Sequence, residues 1–154
     1  MLTSRGGFAL IEALVVLGLM GILLTIATPY YQVFMQNAAY RSAAREIASV
    51  MRQARAEAAT KNREYRVEIG LKEKHYGYQL SPGGTGWRSL SPLVRLGEWD
   101  GNQCRVQTAT LDLDFFPNGT ASRTAGICVL NPAGERRFLV TLTSRTTGHV
   151  EVRR

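Results

Sequence analysis

The chain has few of the residue types from which active sites are built. Its 154 residues include only two histidines and two cysteines. His75 and His149 stand alone in the sequence, and neither cysteine has a histidine nearby that would activate a thiolate. Cys104 and Cys128 lack the paired spacing of a zinc site. If this part of the chain is exported they can form a single disulfide; the alternative is a buried pair of free thiols. The glycine-rich "GGTG" at 83–86 is not followed by Gly-Lys-Ser/Thr, which excludes a phosphate-binding loop. Asp112 and Asp114 stand two apart on a strand pattern, far short of the ligand count that calcium needs. "NGT" at 118–120 matches a glycosylation sequon but reads as an Asn-Gly turn. These absences leave no catalytic constellation and imply no cofactor. Internal repeats and long linkers are also missing, and the length suits one modest domain with an appended segment.

Charge is missing too, over one long interval. No charged residue stands between Glu12 and Arg41, and the stretch 13–28 is nearly all Leu, Val, Ile, Ala, Met and Gly. As a helix, 8–28 would be about 31 Å long, enough for a bilayer core of about 30 Å. A secretory signal would carry a basic start and a small-residue cleavage site. Here the basic start is Arg5 alone, and "PYYQVFMQ" after Thr28 is a poor site. The polar leader 1–7 ends instead in Gly6-Gly7, directly before the apolar run. Glu12 is costly beside that run, and an ionisable residue in such a place is a functional candidate by default.

These residues, "RGG" followed by "FALIEALVVLGLMGILLTIATP", resemble the type III signal of type IV prepilins and type II secretion pseudopilins. The resemblance implies that residues 1–7 are a leader removed by a prepilin peptidase between Gly7 and Phe8. It implies N-methylation of Phe8 and makes Glu12 the fifth mature residue, placed to pair with the α-amino group of Phe8 on a neighbouring subunit. A desolvated charge needs such a partner, and burial of apolar helix surface against other subunits would drive the rest of assembly. It further implies a single-pass inner-membrane anchor at 8–28 and a periplasmic domain. The partners implied are other pilin or pseudopilin subunits. Pro29, lacking an N–H, is expected to kink the helix.

The helical pattern continues to Asn62 but becomes amphipathic. Ala43, Ile47, Val50, Met51, Ala54 and Ala58 share one face at the 3.6-residue period, and Arg41, Arg45, Arg52 and Arg55 share the opposite, solvated one. One long helix over 8–62 results. From 63 to 154 alternation takes over. Tyr65, Val67 and Ile69 oppose Glu64, Arg66 and Glu68; Tyr76, Tyr78 and Leu80 form another set; Leu111, Leu113 and Phe115 oppose Asp112 and Asp114. "FLVTL" is nearly continuous, and "HVEVR" alternates through Val150 and Val152. With turns at "PNGT" and "NPAGE" and a loop at 81–86, this reads as antiparallel strands with one buried face. The fold class is α+β, a long helix on an antiparallel sheet.

The late segments "DFFPNGTASRTAGICVLN" and "TSRTTGHVEVRR" resemble the GspH/FimT subgroup, which often shows Phe-x-Pro-x-Gly and then a Thr/Ser-x-x-Gly-Arg turn into the last strand. Phe115, Pro117 and Gly119 fit the first pattern. The resemblance implies a structural or priming subunit of a type IV pilus or a type II secretion pseudopilus. It also raises an alternative, DNA capture in natural transformation, since some FimT-like minor pilins bind DNA.

The net charge of +7 permits an anionic partner. Arg136, Arg137, Arg145, Arg153 and Arg154 are the candidate phosphate contacts. The chain departs from the DNA-binding pattern, however. His149 and Glu151 stand where a Gly-Arg-x-Arg run would put its arginines, and Glu151 would repel a phosphate. No aromatics interleave with these arginines in sequence to make a stacking platform.

Overall fold

The computed structural model describes residues 6–84 and 86–154, without the side chains of 6–9 and 26–29. Helix α1 runs over Gly6–Lys61, and the chain divides into two units, Met1–Asn37 and Ala38–Arg154. In the first unit the described apolar side chains, Leu10, Ile11, Leu14, Leu17, Leu23 and Phe34 among them, are exposed. An 18-residue stretch of α1 near the N-terminus reaches a mean hydropathy of 2.5, and none of it is buried. Its hydroxyl at Thr25 donates back to Gly21 O at 2.8 Å, which keeps that polar group paired in an apolar setting. The backbone is helical through Pro29, whose side chain lies outside the described residues, as the kink expected there does.

In the second unit the remainder of α1 buries Ala43, Ile47, Val50, Met51, Ala54 and Ala58, the face expected from periodicity, together with Tyr40, Ala44 and Ala48. The helix stops at a left-handed residue, Asn62 (φ 50°), with Arg63 N–H donating to Ala58 O at 3.3 Å. That is the six-to-one bond of a Schellman cap, which satisfies an orphan carbonyl.

Among the described residues nine strands follow: β1 (Tyr65–Lys72), β2 (His75–Ser81), β3 (Arg88–Ser89), β4 (Arg95–Trp99), β5 (Cys104–Val106), β6 (Thr110–Phe115), β7 (Ala125–Leu130), β8 (Arg136–Leu142) and β9 (Val150–Arg153). They form two antiparallel sheets rather than the single sheet expected, with orders β3-β2-β1-β6 and β5-β4-β7-β8-β9. In the first sheet Tyr65, Val67 and Ile69 face Phe115, Leu113 and Leu111 across the ladder, and all six are buried. Both sheets and α1 share one core. A second, smaller cluster of Cys128, Leu130 and Leu139, with Trp99 and Cys104 against it, covers the other face of the five-stranded sheet.

In the second sheet β8 and β9 were legible as "FLVTL" and "HVEVR", whereas β4, β5 and β7 escaped the period-two reading, β7 for a physical reason. Strand β7, "AGICVL", sends Ile127 and Val129 to the main core and Cys128 and Leu130 to the smaller one. A strand covered on both faces shows a continuous apolar run and no alternation. Val152, expected on a buried face, is 37% exposed because β9 is the edge of its sheet. Every residue of both buried clusters falls between Tyr40 and Val150. The unit Ala38–Arg154 therefore carries its whole core and meets the condition for folding alone.

Candidate functional site

The residues expected at the processing junction, Gly7 and Phe8, have helical backbone, while their side chains and all of 1–5 lie outside the described residues. Glu12 is exposed on α1. Among the described residues it has no ion-pair partner, and its neighbours Leu10, Ile11, Leu14, Val15 and Val16 are exposed hydrophobics. The helix thus offers one carboxylate within a bare apolar surface.

The open question about the cysteines is resolved as a disulfide. Cys104 and Cys128 are bonded, with their Cα atoms 6.0 Å apart, and no free cysteine remains among the described residues. The bond ties β5, a three-residue edge strand, to β7 across β4.

The pairing registers sort the candidate arginines. Residues directly opposite in a ladder share a face, so Leu139 with Arg153 and Thr141 with Glu151 mark the outer face of the five-stranded sheet. Leu130 with Arg95 and with Arg136 lies on that face too. Arg136 stacks over the Trp99 ring, 5.1 Å from its centroid, a cation–π contact. An aromatic does lie beneath one of these arginines, then, but from a strand far away in sequence. Trp99 can lie flat there because Gly126 beneath it has no side chain; a Cβ would come within 2.6 Å of Trp99 Cβ.

Two of the other candidates are occupied by carboxylates. Arg137 pairs with Glu135 at 3.2 Å and Arg153 with Glu151 at 2.9 Å. The hydrogen bond from Arg153 holds the Glu151 carboxyl below the usual range and raises the guanidinium in turn. Arg145 sits in the turn at the opposite end of the β8–β9 hairpin, its backbone carbonyl accepting from Ala121 N–H at 2.7 Å. Arg154 follows β9. The side chains of Arg145 and Arg154 are exposed, without an ion-pair partner among the described residues. The five candidates are not gathered into one patch.

The helical arginine stripe also divides. Arg41 and Arg45 face solvent as expected. Arg52 and Arg55 are exposed as well but also reach the strand domain: Arg52 Nη2 donates to Val150 O at 3.1 Å, and Arg55 Nε to Gly119 O at 3.3 Å. Here the two short sequence patterns meet. Gly119 (φ 80°) and Gly148 (φ 56°) both have left-handed backbone, and both turns lie against Arg55. A Cβ at Gly148 would fall 2.8 Å from Arg55 Cδ and 3.2 Å from Gly119 O. The glycines are required by the turns and by the arginine laid over them. Nothing in the sequence spacing of Arg52 and Arg55 announced this role; the only signal was the pair of glycine turns.

A helix whose first stretch is apolar and uncovered, and whose second part is packed on antiparallel sheets, defines a pilin-like protein. The comparisons agree with that class. The family model described as "Type II transport protein GspH" matches residues 43–147, more than half of the chain, and the chain belongs to the GspH family of pilin-like minor pilins and pseudopilins. Two crystal structures of the type IV minor pilin FimU of Pseudomonas aeruginosa share the fold. One is 17% identical with a TM-score of 0.55, covering 74% of this chain and 92% of that one. The other is 16% identical with a TM-score of 0.57, covering 79% and 92%. The minor pseudopilin EpsH of the Vibrio cholerae type 2 secretion system aligns at 12% identity and a TM-score of 0.49, over 73% of this chain and 94% of that one. A comparison with curated proteins finds no match.

Proposed function

We propose that this protein is a structural or priming subunit of a type IV pilus or a type II secretion pseudopilus. A prepilin peptidase cuts it between Gly7 and Phe8 and the new terminus is methylated. Before assembly it rests in the inner membrane by its N-terminal helix, with the strand domain in the periplasm. In the filament Glu12 pairs with the amino group of Phe8 on the next subunit. The observation that carries this reading is the uncovered apolar helix with one carboxylate, Glu12, in register with the Gly7–Phe8 junction. A charge in such a surface is tolerable only near the interface or with a partner.

The test is direct. The full chain would be produced in bacterial membranes with and without a prepilin peptidase, and the N-terminus read by mass spectrometry. The expected product begins at Phe8 and carries one added methyl group, and Gly7→Val prevents the cut. A chain that keeps residues 1–7 beside an active peptidase contradicts the proposal.

A second reading, DNA capture, is supported by one feature: Arg95, Arg136 and Arg153 come from three strands onto one sheet face. Against it stand the carboxylates on Arg137 and Arg153. Of the five candidates, that leaves Arg136, Arg145 and Arg154 without an internal carboxylate. Three phosphate contacts would give a slope of log K on log salt no steeper than about −3. For Ala38–Arg154 the expected result is therefore weak binding of duplex DNA that vanishes near physiological salt. A steeper slope, reduced by Arg136→Ala and Arg153→Ala together, would favour the uptake role.

A further inference from the structure

A groove of about 430 Å³ runs between α1 and the segment entering β9, lined by Arg52, Arg55, Ala56, Ala59, Gly148 and His149 among others. No lining residue carries a negative charge, and the one carboxylate of β9, Glu151, is taken by Arg153. Each guanidinium is anchored by a bond to a backbone carbonyl, which fixes its position while leaving further N–H groups on the same fork. The floor is apolar and low because Ala56 and Ala59 are small.

The strand beside this groove has an open edge. Thr143 N–H donates to His149 O at 3.0 Å, so by the alternation of an antiparallel ladder Glu151 and Arg153 bond to β8, while Val150 and Val152 turn their backbone groups away from it. The bond from Arg52 to Val150 O fits that phase. The Val150 N–H and the N–H and C=O of Val152 therefore lie along the free edge of the sheet, where a further strand could pair.

We propose that this groove receives an extended, acidic segment of a partner protein. A carboxylate of that segment engages Arg52 and Arg55, and its main chain pairs with Val152 on the β9 edge, the strand-addition mode of peptide recognition. A peptide suits the site better than a nucleic acid. A phosphodiester backbone offers acceptors only and cannot satisfy the Val152 carbonyl, whereas a peptide presents donors and acceptors in alternation. The inference does not depend on the filament reading, since the acidic segment need not come from a pilin.

The test uses isotope-labelled Ala38–Arg154, which contains the whole core, and follows amide shifts by NMR. The probes are a short peptide of alternating glutamate and valine, its glutamine counterpart, and a short DNA duplex. The glutamate peptide is expected to shift Gly119, Gly148, Val150 and Val152 saturably, with a dissociation constant on the order of 1 mM. The glutamine peptide should bind at least about fivefold more weakly, and Arg52→Gln should weaken the glutamate peptide similarly while other resonances stay in place. Equal binding of the two peptides would overturn the proposal, as would the absence of shifts from either. Shifts at these amides from DNA alone would reassign the groove to phosphate and overturn it too.

Discussion

Replacing Phe115 by alanine is expected to destabilise the strand domain by about 3–5 kcal/mol, the usual range for emptying a buried aromatic site. Phe115 is fully buried, faces Tyr65 across the β1–β6 ladder, and bridges to Ala121 beyond the turn. Its removal leaves a cavity at the meeting point of helix, sheet and turn. A domain of this size has a total stability of roughly 5–15 kcal/mol, so the loss is a large share of it. Thermal unfolding of Ala38–Arg154 should show a midpoint lower by roughly 12–20 °C, taking about 4 °C per kcal/mol. The neighbouring Phe116→Ala, at a half-buried position, serves as the control and should cost less than half as much. Equal losses at both positions would mean that Phe115 is not the core member of the Phe-x-Pro-x-Gly pattern.

Loss of the disulfide comes second. Cys104 and Cys128 are 24 residues apart in sequence, and closing a loop of that length is worth about 3.4 kcal/mol in the chain-entropy account. The double variant Cys104→Ala, Cys128→Ala should therefore unfold at a clearly lower urea concentration than the oxidised domain. Reductant should lower the midpoint of the native domain toward that of the variant and leave the variant unchanged. The cost falls on a weak part of the fold, because β5 has three residues and pairs only with β4. A midpoint unmoved by either treatment would show that the small outer cluster of Leu130, Leu139 and Trp99 holds that corner without the bond.

Much of this molecule was legible before any coordinates, where the local pattern repeats. The apolar stripe of α1 from Ala43 to Ala58 follows from its period, and so do the alternating strands at Tyr65–Ile69 and Leu111–Phe115, because each has one face toward the core and one toward water. The turns at Gly119 and Gly134 were visible through Asn-Gly and Pro-Ala-Gly chemistry. Strand β7 was hidden because it is covered on both sides, and β4 because Gly97 interrupts a five-residue strand.

The candidate site divides along the same line. By itself the amino-acid sequence determined the apolar, anchor-like helix and the α+β class, since each rests on spacing along one stretch of chain, while the roles proposed for Gly7, Phe8 and Glu12 rest on the resemblance to prepilin signals. Tertiary structure alone decided which arginines have a charge left to offer. Arg137 and Arg153 meet carboxylates, Arg136 meets a tryptophan from β4, and Arg52 and Arg55 meet carbonyls at Val150 and Gly119. Long side chains find partners through strand register and the approach of distant turns, and no local period encodes which residues those will be.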